Sequence, residues 1–327
     1  MLENNAHLRA DWYEGKEQSP TRDGFGRALL TLGEQDPRVV VLCADLAEST
    51  RVLPFAEKYP DRFVEVGVAE QNLATLGSGF AAYGKIPFIA SYAAFSPGRN
   101  YEQIRTTIAL NQMPVKVCGM HAGVSVGPDG ATHQALEDIA LMRALPHMTV
   151  ISPCDAEEAY KATLAAVAHD GPVYLRFGRE KTALMTTPKT PFVFGKATTA
   201  WLGDAPQVAI FATGPLLYNA LAAAKELEKT IAVSVTNMHT IKPLDRDAVV
   251  AAARAAGAVV TVEEHQIAGG FGSAVAEVLA QLHPVPIEFV GVRDQFGQSG
   301  EPSELIEHYG MGISHIVAAV KKVVGRK

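Results

Sequence analysis

Short apolar runs alternate with amphipathic, alanine-rich stretches along most of the chain. Val39–Cys43, Phe88–Ala90, Val115–Met120, Thr149–Ile151 and Val173–Arg176 read as strands. Gly24–Gly33, Gln71–Tyr83, Tyr101–Asn111, Gln134–Ala144 and Ala156–Ala168, lying between and after them, read as helices. Strands alternating with helices in this way predict a parallel sheet covered by helices. The rhythm breaks near residue 190, where Pro188, Pro191 and several threonines mark a linker. It then resumes with strands at Val208–Ala212, Ala232–Thr236, Val259–Glu263 and Ile287–Val290, and helices at Leu216–Glu228, Arg246–Ala256 and Gly272–Gln281.

The expected fold is therefore α/β, with two domains, each a mostly parallel sheet with helices on both faces. The divisions expected are an arm at 1–20, a first domain at 21–185, a linker at 186–200 and a second domain at 201–327. A length of 327 residues suits two such domains.

Charge and composition narrow the function classes. The chain is 48% hydrophobic and 20% charged, with a net charge of −6 and no block of like charges, so nucleic acid and anionic membranes find no electrostatic footprint. Cys43, Cys118 and Cys154 lie far apart in or beside apolar runs, which predicts buried thiols in a reducing compartment rather than disulfides. Met1–Pro20 lacks the apolar core of a signal peptide, and no run approaches the ~20 apolar residues of a membrane span. A cytoplasmic protein is expected.

The first candidate chemistry is the run Phe63-Val-Glu-Val-Gly-Val-Ala-Glu70-Gln-Asn-Leu, a strand-to-helix turn flanked by Glu65 and Glu70. Taken alone, both glutamates fit capping or solvated acids as well as site residues, because acids favour helix starts. Ser91-Tyr92-Ala-Ala-Phe95-Ser-Pro-Gly-Arg99-Asn-Tyr101 places three aromatics just after a strand. Aromatics there are commonly core.

Three motifs in order change that balance. Gly67-Val-Ala-Glu70-Gln-Asn resembles the glutamate segment of the pyrimidine-binding domain of transketolases and their thiamine-diphosphate-dependent relatives. Ala44-Asp45-Leu46-Ala47-Glu48-Ser49 is similar to the transketolase segment Ala-Asp-Leu-Ala-Pro-Ser, with Glu48 in place of the proline. Gly127-Pro-Asp129-Gly130-Ala-Thr132-His133-Gln134 resembles Gly-Glu-Asp-Gly-x-Thr-His-Gln. Glu263-Glu-His265 and Gly269-Gly-Phe-Gly272 extend the resemblance through the second domain, so it covers nearly everything after about residue 20.

The resemblance implies thiamine diphosphate as cofactor, with Glu70 as the catalytic glutamate that hydrogen-bonds the aminopyrimidine ring, and Glu65 as structural. It assigns Asp45, Tyr92, Phe95 and Arg99 to the cofactor pocket. Arg22, Ser49, His121 and Arg176 match residues that bind a sugar phosphate, a role suited to planar guanidinium donors. Asp129 and His133 would contact hydroxyls near the ketose carbonyl, and His133 is counted with Glu70 as catalytic.

No metal-ligand set is expected in this chain. Pro128-Asp129-Gly130 is a poor match to the Gly-Asp-Gly diphosphate motif, Ala131–Tyr160 contains no asparagine, and Gly203-Asp204 is followed by Ala205. The resemblance therefore implies the C-terminal subunit of a split transketolase. An N-terminal-type subunit would hold the cofactor's diphosphate and Mg²⁺, with α2β2 assembly and transfer of a ketol unit between sugar phosphates. The alternatives are a 1-deoxyxylulose-5-phosphate synthase-like subunit, the β subunit of a 2-oxo-acid dehydrogenase, and a catalytically silent scaffold. The run Gly269–Gly272 opens a helix and reads as helix–strand packing.

Overall fold

The computed structural model describes residues 1–327. Seven strands form the first sheet: β2 (Val39–Cys43), β3 (Phe63–Glu65), β4 (Ile86–Tyr92), β5 (Lys116–Met120), β6 (Thr149–Ile151), β7 (Val173–Arg176) and β12 (Thr240–Lys242). Their order is β12-β6-β7-β5-β4-β2-β3, and all pairs are parallel except β12 with β6. Every residue of β2, β5 and β7 is buried, which is why these strands read as unbroken apolar runs rather than alternating ones.

Helices cover both faces. One face buries Phe25, Leu29, Phe55, Phe88 and Phe177 beneath α1 (Thr21–Gln35), α2 (Leu53–Lys58) and α6 (Ala156–Val167). On the other face Leu73, Ile89, Ile104 and Ile108 pack with α3 (Glu70–Ala82) and the segment after α4 (Tyr101–Gln103). Burying each large side chain contributes about 1.5–3 kcal/mol. α1 and α6 touch so closely that a β-carbon at Gly24 would lie 1.9 Å from the carbonyl oxygen of Ala156.

The second sheet has the order β14-β13-β10-β11-β9, built from β9 (Thr198–Leu202), β10 (Val208–Ala212), β11 (Val233–Asn237), β13 (Val259–Gln266) and β14 (Ile287–Val292). Only β9 runs antiparallel. The helices α7 (Leu217–Leu227), α8 (Arg246–Ala256), α9 (Phe271–Leu282) and α11 (Ile313–Val324) surround it, and α10 (Pro302–His308) reaches back to the first domain. No helix is long and apolar enough to cross a membrane.

The expected divisions need adjusting in three places. The arm is tied down: β1 (Gln18–Pro20) pairs with β8 (Lys181–Ala183), and Leu2 bridges to Trp201. The linker is shorter than 186–200, because Thr198 already belongs to β9; that strand buries only Ala200 and Trp201, so no apolar run announces it. Finally, β12 comes from the second domain's stretch of chain yet extends the first sheet.

Two helices also differ. α5 starts at Asp138, because Gln134–Glu137 belong to a loop in which the Gln134 side chain donates to the carbonyls of Val124 and Gln298, each at 3.0 Å. The helix expected at Tyr101–Asn111 widens into a π-helix over Ile104–Ala109.

Candidate active site

The sheet order places β7, β5, β4, β2 and β3 side by side, so the loops leaving their carboxyl ends are neighbours. Open parallel sheets present ligand sites at that edge. Asp45 and Ser49 follow β2, Glu70 follows β3, Tyr92 and Phe95 lie at the end of β4, and His121 follows β5. Arg22 opens α1, the helix that runs back into β2, so it reaches the same edge.

Glu70 is the first residue of α3 and is only 2% exposed. Its Oε2 accepts from Nη1 of Arg99 at 2.8 Å, while Asn100 Nδ2 donates to the Glu70 carbonyl at 2.9 Å and to Ser96 Oγ at 3.1 Å. The carboxylate is thus buried, fixed from behind and bonded to one exposed cation. Glu65 instead serves the local backbone. Its Oε1 accepts from the N–H of Asp45 at 2.7 Å and of Gly67 at 2.9 Å, and the first of these bonds holds Asp45 in a left-handed conformation, with φ of 59°.

An aromatic row joins Glu70 to the opposite end of the site. The Arg99 guanidinium lies 4.9 Å from the Phe95 ring centre. Phe95 stacks with Tyr92 at 6.0 Å, and Tyr92 stacks on His121 at 4.1 Å. His133 meets both Phe95 and Tyr92 edge-on, at 5.3 and 6.1 Å, with its Nδ1 2.9 Å from Thr132 Oγ1.

Cations gather at the far end. Arg22 Nη1 donates to the Ser49 carbonyl at 2.9 Å and lies 2.7 Å from His121 Nε2. Burial, together with nearby Arg22 and Arg179, pushes the His121 imidazole down to about 3, so it is neutral near pH 7. With Nε2 accepting from Arg22, the ring proton sits on Nδ1, which is buried and without a partner. Nε of Arg22 is likewise buried and unpartnered. Two such donors cost free energy unless an acceptor arrives.

One expected anion ligand is corrected. Arg176 is 4% exposed, and its guanidinium is spent inside the fold: Nε donates to Asp138 Oδ2 at 2.7 Å and Nη2 to the Glu264 carbonyl at 2.9 Å. Burial alone would raise the Asp138 carboxyl, but Arg176 overrides this and holds it below its usual value. As the last residue of a strand in an all-buried segment, Arg176 points into the core. Arg179, three residues later and about one-third exposed, lies at the site instead, with Nη1 3.3 Å from Asp129 Oδ2 and 2.8 Å from the Val126 carbonyl. The glycine before it, Gly178, ends the buried run and was the available signal.

The second domain braces the loop that carries Asp129 and His133. The Ser125 N–H donates to Glu264 Oε1 at 2.7 Å, and Gly123, at φ of 92°, leaves room that a β-carbon would take from that carboxylate. At the Gly269–Gly272 run, the first N–H groups of α9 meet a buried acid: Phe271 and Gly272 donate to Glu263 at 2.6 and 2.8 Å. This supports the packing reading of that run and leaves no anion site there.

The site is distinct from the cavity between the two domains. The interdomain cavity of about 500 Å³ is lined by Glu264, Tyr218, Asn219 and Lys181 among others, and by none of the residues of the aromatic row or the cation cluster. No three His, Cys, Asp or Glu side chains are grouped to hold a metal ion.

Comparison with known proteins identifies the family. Residues 17–184 match the transketolase pyrimidine-binding domain and residues 198–316 the transketolase C-terminal domain. The chain is 40% identical to the 6-deoxy-6-sulfo-D-fructose transketolase subunit of Clostridium sp. (strain MSTE9), covering 95% of this chain and 96% of that one. It is 38% identical to a subunit of the apulose-4-phosphate transketolase of Phocaeicola vulgatus, over 89% of this chain and 93% of that one. A solved split-gene transketolase, described as an inactive β4 tetramer, superposes with a TM-score of 0.87 at 43% identity, covering 94% and 98% of the two chains. This chain belongs to the transketolase family, as a transferase subunit made of the pyrimidine-binding and C-terminal domains.

Proposed function

We propose that this chain supplies the pyrimidine and sugar-phosphate wall of a heteromeric transketolase, which moves a two-carbon ketol unit from a ketose phosphate to an aldose phosphate. The observation that carries this reading is the unbroken line Glu70–Arg99–Phe95–Tyr92–His121–Arg22, an acid end and an anion end joined by aromatic faces on one open edge.

The residues present fit an aminopyrimidine, since a buried carboxylate beside flat aromatic faces offers a hydrogen-bond acceptor and a stacking surface together. Glu70 accepts from the ring nitrogen, and Arg99 holds the carboxylate in register. Phe95 and Tyr92 exclude water from the ring, and Asp45 shapes the rim. Thiamine diphosphate, when bound, supplies a carbanion nucleophile for carbonyl carbon. His133 orients and exchanges protons with the hydroxyl beside the reacting carbonyl, and Asp129 fixes the neighbouring hydroxyl. Arg22, Ser49, His121 and Arg179 take the phosphate, whose oxygens satisfy the waiting donors of Arg22 and His121.

The other wall belongs to an N-terminal-type subunit that holds the diphosphate and its divalent ion, most simply in an α2β2 assembly. The open edge supports this reading, as does the description of the related β4 tetramer as inactive. Cys43, Cys118 and Cys154 are buried free thiols, as a reducing cytoplasmic setting would favour, and within it the reading places the chain in carbohydrate metabolism of the pentose phosphate type.

The test is a ketol-transfer assay with thiamine diphosphate and Mg²⁺. Activity is expected when the chain is combined with its N-terminal partner and absent for the chain alone. Full turnover by this chain alone would overturn the reading.

A further inference from the structure

Arg22 has a neighbour of the same charge. Nη1 of Arg22 donates to the carbonyl of Ser49 at 2.9 Å, and Nη1 of Arg51 donates to the carbonyl of Glu48 at 3.4 Å. The two guanidinium groups therefore reach consecutive peptide oxygens of one turn. Arg51 also donates through Nε to Asp23 Oδ1 at 2.7 Å, and Asp23 is the residue that follows Arg22. One half-exposed carboxylate thus stands beside two cations, while Arg179, the third, is matched by Asp129.

The fold imposes this crowding. Arg51 has a φ of 64°, in the left-handed region that residues with a β-carbon rarely adopt. It is held there between Thr50 and Val52, both fully buried. The Arg51 side chain is about 38% exposed, and its Nη2 makes no hydrogen bond within the chain. Like charges placed side by side are unfavourable unless an anion joins them. The unpartnered Nε of Arg22 and Nδ1 of His121 mark where that anion's oxygens would be received.

We propose that Arg51 is a specificity-determining residue: with Arg22 it forms a two-cation cradle that favours a doubly charged terminal phosphate over a singly charged or neutral sugar tail. Asp23 holds Arg51 in position and shares it with the phosphate when substrate binds. This inference rests on the ketose-phosphate reading above. It adds a residue outside the motifs that led to that reading.

The experiment compares wild type, Arg51→Gln and Arg51→Lys in the assembled complex with its N-terminal partner. The donors are a ketose phosphate and the same ketose without phosphate. For Arg51→Gln, KM for the phosphorylated donor should rise about tenfold, the scale of one lost charge-assisted hydrogen bond. KM for the unphosphorylated donor should shift less than about twofold, and Arg51→Lys should recover part of the loss. Added salt should erode the wild-type preference more than that of Arg51→Gln.

An unchanged KM for the phosphorylated donor, or equal shifts for both donors, would overturn the role of Arg51. Calorimetric binding of the ketose phosphate to the complex gives the same comparison without turnover, and wild-type affinity in Arg51→Gln would likewise overturn it. A wild-type complex that binds the sugar phosphate in an Arg51-dependent way but transfers no ketol would count against the proposed reaction, not against the cradle.

Discussion

In each domain a buried glutamate meets the start of a helix, and the two meetings have opposite consequences. Glu263, on β13, spends both carboxylate oxygens on the backbone N–H groups that open α9. Glu70, at the start of α3, is bonded through one oxygen to the exposed side chain of Arg99. Backbone donors cannot leave, so Glu263 is a clamp between strand and helix. A side-chain donor on the site wall leaves Glu70 addressable from outside. The same contrast separates two arginines only three positions apart: Arg176 is locked onto Asp138 inside the core, and Arg179 stands at the open edge. What makes a site here is not the residue type but whether its partners are part of the fold.

The sharpest way to break that contrast is to remove one partner on each side. Asp138→Asn would leave the Arg176 guanidinium buried without a counter-charge, and a loss of about 3–5 kcal/mol is expected from denaturant unfolding. Because the folded Asp138 carboxyl titrates below its unfolded value, its contribution is present above the unfolded pKa and disappears as pH falls through the folded one. Arg179→Gln should cost less than ~1 kcal/mol of stability but raise KM for the sugar phosphate severalfold, since that pair is partly exposed. Equal stability losses in the two variants would remove the distinction between core and site.

A smaller effect concerns pH. Burial raises the carboxyls of Glu263 to about 8 and Glu158 to about 7. The folded chain therefore keeps protons that the unfolded chain has released. This contribution is complete below the unfolded carboxyl value of about 4.3 and is lost as pH rises through 7 and 8. The buried histidines His121, His239 and His265, lowered to about 3, 4 and 4, act the other way, but only below about 6.5. Burial also lowers Lys116 to about 7, which adds stability as pH rises above that value and offsets the two carboxyls, so the readout is a difference: Glu263→Gln should lose less stability than wild type as pH rises from about 5 to 8. Parallel pH profiles for wild type and Glu263→Gln over this window would contradict a Glu263 carboxyl raised by burial.

Much of this was legible from the chain itself. Unbroken apolar runs gave β2, β5 and β7 within a residue, because strands buried on both faces need no alternation. Two of the motifs contain Glu70 and His133, and the resemblance they established led to Tyr92, Phe95 and His121, all of which the fold brings into one row. Three kinds of information were not legible. Arg176 ends β7 inside the core and Arg179 follows three residues later outside the strand, with only the intervening Gly178 to hint at which one reaches the site. β12 joins a sheet built from residues far earlier in the chain, a pairing that no local pattern encodes. The bracing of the Asp129–His133 loop by Glu264 and Gln298 depends on how the two domains meet, and periodicity within either domain is silent on that.

The most direct test is the turnover of Glu70→Gln in the complex assembled with the N-terminal partner, measured beside its assembly state. Glutamine keeps the size of the side chain and the bond capacity toward Arg99 through its carbonyl oxygen, while removing the carboxylate that the aminopyrimidine needs. Normal assembly with turnover reduced by about 10²–10⁴-fold is the expected result. Near-normal turnover in a correctly assembled Glu70→Gln complex would contradict the role given to this residue, and with it the reading of the whole edge.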